Sequence, residues 1–201
     1  FEAGISQPGE MLALRDIIQP TIAVLTYLGS AHQENFESLE AKCREKIILF
    51  HDAETIVYNG DDEIVSKVVG EYHDYKGEKL YWSQKDAEAP FFIKNIEKKN
   101  DLTIVTYIYK GEEDSYSLPF IDEASVTNSI ISAVVSRKLG LSAEDVDKRM
   151  SLLEPVAMRL EVKEGQHGCT LINDSYNSDI NSLDIALDFM SRRPDHKGRR
   201  H

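Results

Sequence analysis

The chain has 201 residues, a formal net charge of -12, 41% hydrophobic residues and two cysteines. An acidic balance of this size argues against nucleic-acid binding through phosphate neutralisation, which needs a concentrated basic surface. No apolar run reaches the length of a membrane span, and Cys43 and Cys169 stand in no metal-ligand spacing, so a protein of the reducing cytoplasm with no membrane insertion, disulfide framework or zinc site is expected.

The opening "FEAG" and the basic close "SRRPDHKGRRH" read as the ends of a piece of a longer protein. "PGEMLALRDIIQP" places Met11, Leu14, Ile17 and Ile18 at helical spacing between two prolines, and "TIAVLTYLG" (21–29) is a β-branched run ending in glycine. The order strand end, helix, strand, helix predicts an α/β sheet. From His51 to Phe120 short β runs follow, "ETIVYNG", "EKLYWS", "FFIKNI" and "LTIVTYIYKG", the last opening an antiparallel pair with Gly111 in the turn. "EASVTNSIISAVVSRKLG" predicts a helix closed by Gly140. "LSAEDVDKRMSLLEP" predicts a second, with Ser142 and Asp145 at the spacing of a capping box. A domain junction is expected near Pro155. Beyond it "MRLEVKEGQHGCTLINDSYN" reads as a hairpin with a core strand Cys169–Asn173, then a loop and a helix from about Ser182.

Several side chains stand out along this frame. His32 follows a strand and a glycine, on a loop at the carboxyl edge of the sheet where α/β proteins collect ligands, although a loop histidine is commonly a plain surface residue. Lys46 shares a helical stripe with Leu39, Cys43, Ile47 and Phe50. Such a lysine either snorkels its charge to water or is kept neutral by burial and becomes nucleophilic. "LINDSYNSDINSL" concentrates Asn173, Asp174, Ser175, Tyr176, Asn177 and Asp179 after an apolar strand, as a polar turn or as a grip for ribose or amide. Arg159, near the expected junction, suits either a structural ion pair or a phosphate clamp. Asn128 lies in an apolar helix, where a buried amide needs partners. No phosphate-cradling loop of either common type occurs, nor any serine or cysteine nucleophile signature.

Taken in order, "FEAGISQPGEMLAL", "LTYLGSAHQENFESLEAKCREKIILF", "VTNSI", "MRLEV" and "NDSYNSDINSL" resemble the Mur ligases of peptidoglycan synthesis over nearly the whole chain. The resemblance implies that residues 1–155 are part of a central ATPase domain, its mainly parallel sheet carrying helices and a small antiparallel β portion, with the phosphate loop upstream. It implies that residues 156–201 begin a Rossmann-like C-terminal domain. By motif position, Glu2, His32 and Lys46 match the metal-binding residues, Lys46 as the lysine that carbon dioxide converts to a carbamate, with magnesium as the ion. Asn128, Arg159, Asp174, Tyr176 and Asn177 match positions that face ATP. Tyr27, Ala124, Ser125, Asn173, Asp179 and Ile180 depart from the family's usual residues.

For the parent protein the resemblance implies ATP-dependent joining of D-alanyl-D-alanine to UDP-N-acetylmuramoyl-tripeptide through an acyl phosphate, the 201 residues alone being inactive. "GSAHQENF" is similar to forms fused to an alanine racemase, which would add pyridoxal phosphate. Another Mur ligase, a folylpolyglutamate synthase, or a non-catalytic binding module on the same scaffold are the alternatives.

Overall fold

The structure, a computed structural model, describes residues 1–29, 32–99, 102–154, 161–175 and 180–192. The chain forms two compact units, Phe1–Ser151 and Leu152–His201.

In the first unit the predicted leading helix is α1 (Glu10–Ile18). It starts where the Glu10 carboxylate accepts hydrogen bonds from the Ser6 and Gln7 N–H groups at 2.6 and 3.0 Å, and it stops at Gln19, held at φ 44° before Pro20. Within the run 21–29 the predicted strand is β1, Ile22–Val24, with Leu25 N–H continuing its ladder to the Val57 carbonyl. Helix α2 (Leu39–Ile47) is capped by Ser38, whose hydroxyl accepts from Ala41 N–H at 3.0 Å, and a 3-10 turn (Ile48–Phe50) replaces the continued helix that the stripe to Phe50 implied. Strand β2 (Thr55–Asn59) is paired along its whole length on one side and through Thr55–Val57 with β1 on the other. The sequence reading missed α3 (Glu63–Gly70), which Asp62 caps through the N–H groups of Ile64 and Val65.

Strands β3 (Glu78–Ser83), β4 (Phe91–Lys99), β5 (Leu102–Tyr109) and β6 (Glu112–Leu118) complete a six-stranded sheet in sequential order. Pairings are parallel from β1 to β4 and antiparallel from β4 to β6, so the antiparallel portion continues the parallel sheet. Lys110 and Gly111, at φ 54° and 82°, form the two-residue β5–β6 turn, whose backbone twist needs positive φ at both positions. Helices α4 (Glu123–Lys138) and α5 (Ala143–Met150) follow, and Ser142 accepts from Asp145 N–H at 3.1 Å as the predicted cap requires.

Strand alternation splits the core between the two faces. On β2, Ile56 and Tyr58 join the cluster under α1, α2 and α3, while Val57 joins the cluster under α4 and α5 with Trp82, Phe91, Val105, Tyr107 and Tyr116. The opening residues 1–5 form no strand, contrary to the expected strand end; among the described strands β1 pairs with β2 alone. In the second unit β7 (Glu161–Glu164) and β8 (Thr170–Asn173) are an antiparallel pair, followed by α6 (Ile180–Arg192).

Buried phenols make the first unit sensitive to alkali. Burial pushes the Tyr75 and Tyr107 hydroxyls up to about 12, and the hydrogen bond to Asp86 does the same for Tyr81. Above the ordinary tyrosine value of 10.0 the unfolded chain binds fewer protons than the folded one, so stability is whole below that pH and is lost as pH rises toward about 12. Tyrosinate absorbance is expected to appear together with loss of the circular dichroism signal. Ionisation of these rings in a chain that keeps its full dichroism would contradict the packing described.

Candidate functional site

A cleft of about 760 Å³ opens beside β1, lined by Glu2, Gly4, Thr26, Tyr27 and Lys46 among others, with Met11, Leu49 and Phe50 as its apolar wall. Lys46 reaches it from the last turn of α2 and is half-buried. Burial is the main cause that holds its amine below the ordinary lysine value of 10.5, so the neutral form is more accessible than on a surface lysine. Glu2 is exposed on the same cleft.

Polar contacts fix the three segments that carry the candidate residues. Glu45, next to Lys46, accepts hydrogen bonds from Gly9 and Met11 N–H at 2.8 and 3.2 Å, so α2 caps the start of α1. Asn35, three residues past His32, donates to the Ser6 carbonyl at 2.9 Å. His32 itself is exposed in the left-handed region at φ 57°, at the start of a 3-10 turn (Gln33–Asn35). It lies close enough to Glu10 to help lower that carboxyl, behind the Ser6 and Gln7 N–H groups, which act first. The structure thus brings Glu2 and Lys46 to one cleft and leaves His32 on a neighbouring turn, outside the cleft lining.

The sequence reading passed over Lys42. Its side chain is buried, 3% exposed, and its ammonium donates to the Gly29 carbonyl at 2.6 Å. Burial first, then the Lys46 charge, lowers its pKa, and Glu34 opposes them. The signal was available in the spacing: Leu39, Lys42, Cys43 and Lys46 share one helical face. Cys43 between them is buried and its thiol is pushed up to about 11 by burial, so it is a packing residue and no nucleophile.

Among the described residues no group of three histidine, cysteine, aspartate or glutamate side chains is placed to hold a metal. A hard divalent cation prefers oxygen donors. The cleft offers one carboxylate, Glu2, and a carbamate on Lys46 would add a second anionic oxygen group, the donor chemistry that a hard cation such as magnesium takes.

Of the residues expected to face nucleotide, Asn128 does not sit in the core. It is exposed on α4, whose buried face is Val126, Ser129, Ile130, Ala133 and Val134; the buried polar position is Ser129, hydrogen-bonded to Tyr116 at 3.0 Å and to the Val126 carbonyl at 2.7 Å. Asp174 is half-buried directly after β8, beside Asn173, which donates to Glu161 at 3.3 Å. Arg159, Tyr176 and Asn177 lie outside the described residues.

Comparison with known proteins agrees with this architecture. The family described as the Mur ligase middle domain matches residues 1–136. The UDP-N-acetylmuramoyl-tripeptide–D-alanyl-D-alanine ligase of Bacillus subtilis is 25% identical over 199 residues, covering 93% of this chain and 40% of the relative. The structure of MurF from Acinetobacter baumannii superposes with a TM-score of 0.80 at 20% identity, over 96% of this chain and 42% of that one. MurF from Thermotoga maritima, solved in complex with ADP, gives 0.74 at 23%, over 94% and 43%. The chain therefore spans less than half the length of the relatives it matches. Among the described residues no helix is long and apolar enough to cross a membrane.

Proposed function

The chain belongs to the Mur ligase family, and on that premise we propose that it is part of an ATP-dependent ligase that adds D-alanyl-D-alanine to UDP-N-acetylmuramoyl-tripeptide in peptidoglycan precursor synthesis. The observation that carries this reading to the level of chemistry is that the half-buried Lys46 and the Glu2 carboxylate line one cleft. The neutral amine attacks carbon dioxide, nitrogen gives up a proton, and the cation is replaced by a carbamate anion.

Glu2 and carbamylated Lys46 would hold magnesium, whose contribution when bound is to neutralise phosphate charge. The tripeptide's terminal carboxylate attacks the ATP γ-phosphorus and expels ADP. The dipeptide's amine then attacks the acyl carbon, expels phosphate and loses its proton. In this scheme the chain's own groups position reactants and offset charge. Asn128, Asp174, Arg159, Tyr176 and Asn177 are proposed nucleotide contacts, and His32 a further contact of the metal site, all carried over from the family pattern.

The test is coupled turnover by the full-length protein. With ATP, magnesium, the UDP-tripeptide and D-alanyl-D-alanine, one ADP and one phosphate should form per amide, the product being identified by mass spectrometry. Amide formation with glutamate on a folate, and none with the dipeptide, would replace this substrate assignment by the folylpolyglutamate one.

A further inference from the structure

The buried Lys42 is the feature of this site that the family pattern does not explain. Charged side chains are rarely fully buried, because removing an ammonium from water is costly unless hydrogen bonds and nearby charge compensate. Here compensation comes from the Gly29 carbonyl at 2.6 Å, from the Glu34 charge and from the Phe36 ring, 6.0 Å from the ammonium. The connection is specific in what it joins. Gly29 follows β1 in the segment that precedes His32, while Lys42 lies one helical turn before Lys46 on α2. The two lysines repel each other as cations, and the same spacing is attractive once Lys46 bears an anion.

Resting on the carbamate reading above, we infer that Lys42 is a positioning residue of the metal site: its buried ammonium pins the β1 loop to α2 and sets a fixed positive charge one turn from Lys46. The chain thereby holds Lys46 in place from its own helix and holds the start of the His32 segment against that helix.

The experiment uses the full-length protein and reads magnesium-dependent ATP binding by calorimetry, together with the Lys46 carbamate signal by NMR after labelling with isotopic bicarbonate. Lys42→Met, which keeps the packing stem and removes the charge, should raise the half-saturating magnesium concentration about tenfold and weaken the carbamate signal, as loss of a supporting contact does at other metal sites. Lys42→Arg, which keeps a charged donor, should recover most of the parental affinity. Phe36→Leu, which loosens the same packing but leaves the ammonium and its bond to the Gly29 carbonyl, should shift the half-point far less than Lys42→Met.

A parental half-point in Lys42→Met, or an equal shift in Phe36→Leu, overturns the inference. If Lys42→Met does not fold, Lys42→Gln, neutral and too short to reach Gly29, is judged by the same two results. Lys46→Ala separates the two levels. If it loses magnesium dependence while Lys42→Met stays parental, only the role of Lys42 falls; if Lys46→Ala itself stays parental, the metal reading falls and this inference with it.

Discussion

Lys46→Ala in the full-length protein is expected to lower ligase turnover roughly a thousandfold, about 4 kcal/mol of transition-state stabilisation, with little loss of stability. The substitution leaves Glu2 as the cleft's one carboxylate among its described lining and removes the amine that would become the second. A short carboxylic acid such as formate or acetate, fitting the space that the side chain vacates, should restore part of the rate. Lys46→Met fills that space and should not be rescued.

Stability gives an independent check through its sign. Because burial holds the folded Lys46 amine below 10.5, the unfolded chain binds more protons in the interval between the lowered value and 10.5. Stability of the parent therefore gains from this residue as pH rises through that interval. The difference in melting temperature between parent and Lys46→Met, measured across the same pH range so that the tyrosines cancel, should shift in the parent's favour as pH increases. Equal activity of parent and alanine variant, or a rescue that works equally well on Lys46→Met, would remove the carbamate from the mechanism.

What could be read in advance followed from local rules. The apolar periods, the prolines around α1, the Ser142 cap and Gly111 in its turn each rest on a few neighbouring residues, and the elements came out where those rules put them. Helix α3 escaped because "EIVSKVVG" is rich in β-branched residues, which favour strands, whereas Asp62 and the buried Val65, Val68 and Val69 carry the weaker helical sign. Asn128 was misplaced by composition: its helix is apolar on one face, and position 128 falls on the other.

At the site, Lys46 on a mixed stripe was legible because the conflict between charge and apolar neighbours is local. For Lys42 the spacing shows only that it shares this face; its burial depends on the Gly29 carbonyl arriving from a segment thirteen residues away. The same holds for Glu45 capping α1 across 34 and 36 positions. Sequence spacing marks which side chains share a face; it does not say which backbone groups fold back to meet them.

Phe91→Ala should produce the largest stability loss in the first unit, about 3–5 kcal/mol, by removing a large side chain from a core position that is 0% exposed. Phe91 sits where the sheet changes character: it pairs with Trp82 of β3 in parallel and with Tyr109 of β5 in antiparallel register. Its ring stacks on Tyr107 with centroids 4.5 Å apart and leans on Tyr109 at 5.6 Å. The cavity would therefore open at the seam between the two halves of the sheet, and neither half can close it without breaking its own pairing. A fall in melting temperature of roughly 10 °C is expected from thermal unfolding of the chain. Phe91→Leu, which refills most of the volume, should lose well under half as much. The cleft with Glu2 and Lys46 lies at the β1 edge and is built mainly from the other core cluster, with Ile22 and Val24 of β1 packing toward the Phe91 side. Below its lowered transition the alanine variant should accordingly keep the parental magnesium half-point in the full-length protein. A large change in that half-point, with the fold intact, would mean that the antiparallel half shapes the metal site, and the division between scaffold and chemistry drawn here would have to be redrawn.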